Sequence, residues 1–257
     1  MNDDLIYEKR DHTAFLTLNR ESRRNAISQD MITAFLDYLD TAHGDDTVRA
    51  VCITGAGEKI FCSGADLGST LAKGEDRLTG PRNYARLLKE MAAFPKPLVA
   101  RVNGACLAGG IGFMLSCDIV ISRDDIYFQT PEVNVGIFPM MVGALLFKNV
   151  TTKKAMDMVL TGRKIRAPEA EQMGLITRAV TPAHLDEVVQ TTLDLLQGKS
   201  PIGMRLGKEA FYRASDMPFE SAVDFLCEAL GRAISTQDAM EGMKAFMEKR
   251  EPRFTGK

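Results

Sequence analysis

The chain has 257 residues, 45% of them hydrophobic and 26% charged, which is enough apolar material for a sizeable core and no mark of disorder. Its net charge of −2 is spread over interspersed acidic and basic residues, so the clustered cationic surface that nucleic acid needs is not expected. No apolar run approaches the roughly 20 residues of a membrane span, and the N-terminus has neither the basic start nor the apolar stretch of a signal peptide. We therefore expect a cytoplasmic protein without nucleic-acid or membrane partners.

Cysteine and histidine residues are few and poorly placed for a metal centre or a covalent mechanism. The histidines lie outside any HExxH motif, and no two cysteines form a CxxC pair. Without a histidine partner, a serine or cysteine nucleophile lacks support as well. We expect free thiols, buried and in a reducing compartment, at Cys52, Cys62, Cys106, Cys117 and Cys227.

The first part of the chain alternates predicted strands and helices. Apolar and polar residues alternate over 14–19, as in a half-buried strand. Ser28 is placed to cap a helix whose apolar residues share one face. The apolar run 48–55 predicts a second strand, and Pro81 suits the first turn of a helix that extends to about Phe94.

The same alternation continues to about residue 180 and then stops. Residues 97–104 and 118–124 predict strands on either side of a short apolar helix, and residues 175–180 predict the last strand. Beyond Pro201 the apolar residues recur at helical spacing. The fold class is therefore α/β, and we predict a core domain over 1–200 and a C-terminal helical region over 201–257.

Three short segments could carry chemistry, and the first of them is Phe61–Leu67. It follows a predicted strand, and its small residues can expose backbone N–H groups at Gly64, Ala65 and Asp66. An ordinary turn in which Asp66 caps a helix is the alternative.

The second segment, Asn103–Asp118, has small residues at Ala108, Gly109 and Gly110, where a strand gives way to a helix. Free N–H groups at a helix start point towards a ligand oxygen and favour developing negative charge. A dinucleotide-binding turn is the alternative, but AGGIGF lacks the GxGxxG spacing and the position in the first βαβ unit that this fingerprint needs.

The third segment, Phe128–Pro139, places Glu132 among apolar residues in a turn set by Pro131 and Gly136. Apolar surroundings disfavour the charged form of a carboxylate, which raises its pKa towards the range of a general base. The alternative is a glutamate that only caps or charges the first turn of a helix after Pro131.

The order and spacing of these motifs, GADL, then NGxxxAGG, then PExxxG followed by a proline, resemble the enoyl-CoA hydratase/isomerase (crotonase) superfamily. The resemblance extends from Leu18 to the KREPRF tail and is most specific over Pro97–Pro139. It implies a crotonase-like spiral of ββα units with a C-terminal helical trimerisation region, assembled as a homotrimer or homohexamer. It also implies an acyl-CoA thioester substrate, with coenzyme A as part of the substrate and no separate cofactor.

The same resemblance implies roles for particular residues. The backbone N–H groups of Ala65 and Gly109 correspond to the oxyanion hole, which holds the thioester oxygen as it gains charge, and Glu132 corresponds to a catalytic glutamate. Phe246 and Lys249 correspond to positions that contact the adenine and the 3′-phosphate of coenzyme A from a neighbouring subunit. The other implied substrate-binding positions are Lys59, Gly64, Asp66, Leu67, Gly110, Gly112, Asn134 and Met140.

Gly112 departs from the hydratase pattern, which has another glutamate at this position. Hydration is usually described with two carboxylates around one water, whereas double-bond isomerisation needs one base that carries a proton between C2 and C4. Met140 and Met141 replace the small residues usual after Pro139, which affects the shape of the acyl pocket. We therefore expect isomerisation or hydration of an enoyl-CoA with Glu132 as a single base.

Other functions are compatible with the same residues. Relatives with one carboxylate include CoA enzymes that form or open rings, and thioester hydrolysis is a further CoA reaction within reach. A catalytically silent CoA- or RNA-binding homologue is the alternative outside the enzymes. The retained Glu132 and the lack of a basic run argue against it.

Overall fold

The strands form two sheets in the computed structural model, which describes residues 4–65 and 78–257. The larger sheet has the order β1–β2–β3–β5–β7–β10 and the smaller one the order β4–β6–β8–β9. Apart from the antiparallel β1–β2 and β8–β9 pairs, neighbouring strands are parallel. The strands are β1 (Leu5–Arg10), β2 (Thr13–Leu18), β3 (Ala50–Gly55), β4 (Ile60–Cys62), β5 (Leu98–Val102), β6 (Ala105–Leu107), β7 (Ile119–Arg123), β8 (Tyr127–Gln129), β9 (Ile165–Arg166) and β10 (Arg178–Val180).

Helices follow the strands in the first part of the chain and are consecutive at its end. Short 3₁₀ helices cover Glu21–Arg23, Pro131–Val135 and Pro182–His184. The α-helices are α1 (Gln29–Gly44), α2 (Thr79–Ala92), α3 (Gly109–Leu115), α4 (Met140–Asn149), α5 (Thr152–Thr161), α6 (Ala167–Gln172), α7 (Leu185–Gln197), α8 (Pro201–Ala214), α9 (Phe219–Ile234) and α10 (Gln237–Glu248).

Consecutive strands in the middle of the chain go alternately to the two sheets. Strands β3, β5 and β7 lie side by side in the larger sheet, and the strands that follow each of them, β4, β6 and β8, lie side by side in the smaller one. Helix α2 comes after the first of these strand pairs and α3 after the second. The repeating unit is therefore ββα, which confirms the predicted spiral and the α/β class.

Strand β3 is apolar from Ala50 to Ile53, and both of its faces are covered over these residues. Val51 and Ile53 face the main core, together with Phe35 of α1 and Phe113 of α3, whose rings stack 5.5 Å apart. The alternate residues of β3 face a second cluster formed with α7. A strand buried on both sides is expected to be continuously apolar, and each large side chain so buried stabilises the fold by roughly 1.5–3 kcal/mol.

Most predicted elements occur within a few residues of their expected bounds. Ser28 caps α1 as predicted, since its hydroxyl accepts a hydrogen bond from the Met31 amide at 3.1 Å. The last strand is shorter than predicted, since it begins at Arg178, and Leu175 and Ile176 are buried core residues that precede it. Helix α4 was not predicted, and neither were the strands β1 and β9 or the three-residue strands β4, β6 and β8.

The C-terminal helices α8 to α10 bear out the helical region predicted after Pro201. Each of them has very few buried residues, and much of their apolar surface faces outwards. The exposed apolar side chains in this region include Phe211, Phe219, Val223, Leu230, Ile234, Met240, Met243, Phe246 and Met247. Such a surface suits an interface between subunits, and the domain division at residue 201 and the oligomeric state remain predictions.

The five cysteines are free thiols, but they are not all buried. Cys52, Cys62 and Cys106 lie inside, Cys117 is half-buried and Cys227 is exposed on α9. The prediction of buried thiols is therefore wrong for Cys227, which belongs to the outward face of the helical tail.

Among the described residues no helix combines the length and the apolar character needed to cross a membrane.

Candidate active site

Three neighbouring strands of the smaller sheet end at one edge, and each of the three candidate segments continues beyond the end of one of these strands. The parallel pairing sets Cys62 opposite Cys106, and Leu107 of β6 opposite Gln129 of β8. Ala65, Gly109 and Glu132 follow the carboxyl ends of β4, β6 and β8 within two or three residues. Because parallel strands carry their carboxyl ends to the same edge of a sheet, residues far apart in the sequence are brought together here.

Ala65 and Gly109 lie on two backbone segments in close contact. The Ile27 amide donates to the Gly64 carbonyl at 2.8 Å, which fixes the turn before Ala65 against the start of α1. A Cβ atom at Gly64 would lie 2.8 Å from the Gly109 nitrogen and 2.7 Å from the Ala108 Cβ. Only glycine permits this approach, and its φ of +91° is also one that other residues rarely adopt. In the described part of the chain, neither the Ala65 amide nor the Gly109 amide has a protein acceptor.

The turn before Gly109 is strained and tied to the next strand. Ala108 has φ 49° and ψ −125°, a conformation that costs an alanine roughly 1–3 kcal/mol. Its amide donates to the Gln129 carbonyl of β8 at 2.9 Å. Gly110 lies against β4, since a Cβ there would be 2.6 Å from the Cys62 carbonyl oxygen. The surrounding strands therefore hold the first residues of α3 in one position.

Glu132 lies in the 3₁₀ helix Pro131–Val135, which Gly136 ends with a φ of +79°. The preceding Thr130 is buried and donates through its hydroxyl to the Met158 carbonyl at 3.2 Å. Among the described residues, the Glu132 Oε2 atom is buried without a hydrogen-bond partner. A buried carboxylate oxygen without a partner is costly, and it is the kind of group for which a ligand or a reaction is the usual explanation.

Burial raises the pKa of Glu132 above its usual range, and a hydrogen bond from its own backbone amide offsets part of that rise. The direction is the one expected for a carboxyl group held in apolar surroundings. A glutamate that only charged the start of a helix would be solvated and would keep an ordinary pKa. The structure therefore favours the interpretation of Glu132 as a carboxyl group with a raised pKa over that of a solvated glutamate at a helix start.

Position 112 has no room for a side chain, because a tyrosine occupies the space beside it. A Cβ atom at Gly112 would overlap the hydroxyl of Tyr84, which reaches across from α2. The same hydroxyl donates a hydrogen bond to the Gly109 carbonyl. Sequence reasoning missed Tyr84, because the residue lies among the apolar positions of α2 and its pattern is that of a core residue. The one hint in the sequence was the glycine at position 112. It indicates that no side chain projects from α3 at this point, but it does not identify the residue that fills the space.

Three other predicted substrate-binding residues, in the middle and the first part of the chain, are exposed. Lys59 is exposed just before β4, and its carbonyl accepts from the Ala105 amide at 2.9 Å. Met140 begins α4 and is 74% exposed. Asn134 is exposed, with its amide nitrogen near Gly162. Asp66 and Leu67 lie outside the described residues.

The two C-terminal candidates lie at the end of α10. Phe246 is 85% exposed, and Lys249 ends the helix with a φ of +53°. An aromatic ring this exposed is unusual in an isolated chain, because burying it would be favourable by roughly 1.5–3 kcal/mol. Their predicted contact with the coenzyme A of a neighbouring subunit stays a prediction.

Comparison with known proteins adds an independent observation. The family model described as enoyl-CoA hydratase/isomerase matches residues 8–257. The short-chain-enoyl-CoA hydratase of Clostridium acetobutylicum is 32% identical over 255 residues, which cover 97% of this chain and 96% of that one. The crotonyl-CoA hydratase of Syntrophomonas wolfei is 32% identical over 258 residues, with 99% of each chain covered.

Solved structures give the same result for the fold. The crystal structure of an enoyl-CoA hydratase from Bacillus anthracis superimposes with a TM-score of 0.94 at 28% identity, covering 99% of this chain and 100% of that one. The match therefore includes the spiral core and the C-terminal helices together. With the family model spanning nearly the whole chain and relatives above 30% identity over its full length, the chain belongs to the enoyl-CoA hydratase/isomerase family.

Proposed function

We propose that the protein acts on enoyl-CoA thioesters through an enolate, with Ala65 and Gly109 as the oxyanion hole and Glu132 as the base. The observation that supports this proposal is that, among the described residues, two amides without a protein acceptor and a buried carboxylate oxygen without a partner follow the carboxyl ends of three neighbouring parallel strands. An acyl-CoA thioester matches both features, because its carbonyl oxygen gains charge while a proton moves nearby.

The two amides act on the thioester oxygen. Negative charge develops there when a proton leaves C2 or when water adds to C3. A donor held in place by the fold needs no reorganisation during the reaction, and one such donor typically lowers the barrier by roughly 3 kcal/mol. The contact of Gly64 with Gly109 supports this role, since it fixes both donors on one rigid unit.

Glu132 moves the proton. Its raised pKa places it nearer to neutral pH than an ordinary glutamate, which suits a group that both accepts and returns a proton. In isomerisation it would carry a proton between C2 and C4. In hydration it would take a proton from water and deliver one to C2. The names of the similar hydratases favour hydration, whereas the glycine at position 112 favours a reaction that uses one carboxylate.

We also propose that coenzyme A crosses Lys59 and reaches Phe246 and Lys249 of a neighbouring subunit in a trimer or hexamer. The exposure of Phe246 and of the other apolar side chains on the C-terminal helices supports this arrangement. The arrangement explains why an apolar ring stands at the surface next to a cationic residue.

A panel assay tests the proposal. The protein is incubated with 2-enoyl-CoA and 3-enoyl-CoA substrates of several chain lengths, and products are separated by chromatography and weighed by mass spectrometry. Hydration adds the mass of water, and isomerisation leaves the mass unchanged. The expected result is one of these two products, with turnover reduced roughly 10²-fold or more in Glu132→Gln.

A matched variant controls for the substitution itself. Glu187→Gln makes the same chemical change at an exposed position of α7 and should keep wild-type turnover. A wild-type protein that transforms none of these thioesters, or a Glu132→Gln variant as active as Glu187→Gln, would contradict the proposed function.

A further inference from the structure

The hydroxyl of Tyr84 lies over the glycine face of α3. Gly109 and Gly112 are one turn apart on that helix, so they share a face. A Cβ atom at Gly109 would lie 3.5 Å from the Tyr84 hydroxyl oxygen, and one at Gly112 would overlap it. The hydroxyl therefore occupies the space into which a longer side chain at 112 would project.

The tyrosine is held firmly in this position. Its hydroxyl donates to the Gly109 carbonyl, and its ring meets the Phe113 ring edge-on with centroids 5.8 Å apart. Only 8% of the residue is exposed. Since the hydroxyl proton is used by the Gly109 carbonyl, what the oxygen still offers to the site is its acceptor capacity.

Tyr84 also shares its surroundings with the proposed base. Burial raises the pKa of Tyr84 well above its usual value, and the negative charge of an ionised Glu132 would raise it further. The phenol therefore stays protonated, so it adds no charge that would repel Glu132. The Tyr84 hydroxyl is bonded to Gly109, and Gly109 and Glu132 follow the carboxyl ends of the paired strands β6 and β8, so the phenol oxygen and the carboxyl group belong to the same sheet edge.

We propose that Tyr84 is a catalytic residue for water addition, accepting a hydrogen bond from the attacking water while Glu132 accepts the other. The inference rests on the proposed function and deepens it, because it assigns the second water-holding group that the glycine at 112 lacks. Two acceptors fix both hydrogens of the water and leave its lone pairs directed at the substrate.

The step balances without any further reactant. The water oxygen forms a bond to C3, one of its O–H bonds breaks, and that proton passes to Glu132. The electrons of the C2–C3 double bond move to the thioester oxygen, where the Ala65 and Gly109 amides hold them. Glu132 then returns the proton to C2, and the carboxylate is restored. Tyr84 remains a hydrogen-bond acceptor throughout and loses no proton.

Two reactions on four-carbon substrates separate this role from the rest of the mechanism. Hydration of 2-butenoyl-CoA needs the held water, whereas exchange of the C2 protons of butanoyl-CoA in D₂O needs only Glu132 and the oxyanion hole. Tyr84→Phe removes the hydroxyl and keeps the ring. We expect the variant to hydrate about tenfold more slowly or worse, with KM and deuterium exchange within about twofold of wild type.

Tyr38→Phe is the matched control, because Tyr38 is half-buried on α1 and packs against Tyr7. It should leave both reactions unchanged. Gly112→Ala is a second probe, which displaces the Tyr84 hydroxyl without removing it. It should also slow hydration more than exchange, so the inference can be tested even if Tyr84→Phe folds poorly.

The outcomes are distinct. Equal loss of hydration and exchange in Tyr84→Phe would mean that Tyr84 only supports the Gly109 peptide, and unchanged hydration would mean that it does not hold the water. Either result overturns the inference while leaving Glu132 and the oxyanion hole in place. Loss of both reactions in wild type would instead reject the proposed function, and the inference with it.

Discussion

Gly64 approaches Gly109 so closely that a methyl group on its Cα would lie 2.8 Å from the Gly109 nitrogen. Gly64→Ala must therefore push the two backbone segments apart, and its φ of +91° adds strain. We expect kcat/KM to fall roughly 10²-fold, because the two proposed oxyanion donors would no longer converge. Stability should fall by roughly 1–3 kcal/mol, measured by denaturant unfolding.

Gly207→Ala serves as the comparison for that variant. Gly207 is in α8, and a Cβ there would meet nothing within 4 Å. The substitution should leave activity unchanged and stabilise the helix by roughly 0.5–1 kcal/mol. Full activity of Gly64→Ala would show that the Ala65 amide has no part in the reaction.

Glu132 should destabilise the fold at high pH. Because its folded-state pKa is raised, the folded protein holds this proton to higher pH than the unfolded chain does. Stability is therefore lost as pH rises through the folded pKa. Glu132→Gln should melt at a higher temperature than wild type at pH 8, and the difference should shrink towards pH 4. If the difference in melting temperature between Glu132→Gln and wild type stays constant with pH, or equals that of Glu187→Gln, the folded-state pKa of Glu132 is not raised.

The pH dependence of activity should follow from the same group. The base must be ionised, so kcat/KM should fall as pH decreases through the folded pKa of Glu132. The midpoint of this acid limb should lie above about 4.3, the usual glutamate value. A rate that stays flat to pH 4 would mean that a group with an ordinary or lowered pKa supplies the base.

A carboxylate at position 112 should be tolerated only if Tyr84 makes room. Gly112→Glu alone would drive its Cβ into the Tyr84 hydroxyl, and we expect a loss of roughly 1–3 kcal/mol from overpacking. Combined with Tyr84→Ala, the glutamate would enter the space that the tyrosine hydroxyl leaves beside position 112. The double variant should hydrate 2-enoyl-CoA faster than Tyr84→Ala does. If the double variant is no faster, the glutamate at position 112 does not take over the space and the role of the Tyr84 side chain.

Strain at Ala108 should be measurable as stability. Ala108→Gly removes the cost of a φ of 49° and a ψ of −125°, which exceeds the added chain entropy of glycine. We expect a melting temperature higher by about 2–4 °C. Ala222→Gly, in the regular helix α9, should instead lower it, since glycine there costs roughly 1 kcal/mol. If both variants melt at a lower temperature than wild type, the backbone at Ala108 carries no strain.

The oligomeric state gives a further test. The apolar surface of the C-terminal helices leads us to expect a trimer or hexamer by light scattering, and truncation before Pro201 should abolish soluble assembly. A stable monomer with full activity would contradict the idea that Phe246 and Lys249 serve a neighbour's site.

The sequence was informative where burial extends over many residues. Strand β3 could be predicted because its two covered faces make 50–53 continuously apolar, and α1 because Ser28 and an apolar face mark it. Strands β4, β6 and β8 could not, because three residues are too few to show an alternation. Their pairing is nevertheless what brings the site together.

The candidate site was predictable to the same degree. Motif spacing pointed to Ala65, Gly109 and Glu132, since glycines and a flanked glutamate leave a local pattern. Tyr84 left none, because its contact with Gly112 joins two helices and depends on tertiary packing. A pattern within one segment cannot reveal which side chain from another segment fills a vacancy.

The donors proposed for the thioester oxygen belong to the main chain, and this affects how the protein can be probed and how it can vary. Replacing the side chain of Ala65 leaves its amide in place, so a conventional mutational scan would pass over it. The sensitive positions are the ones that set the backbone path, Gly64 and Ala108. Side chains around the acyl group can therefore change, and substrate preference can change with them. The two backbone N–H groups proposed to stabilise the anion stay in place as long as the backbone path is kept.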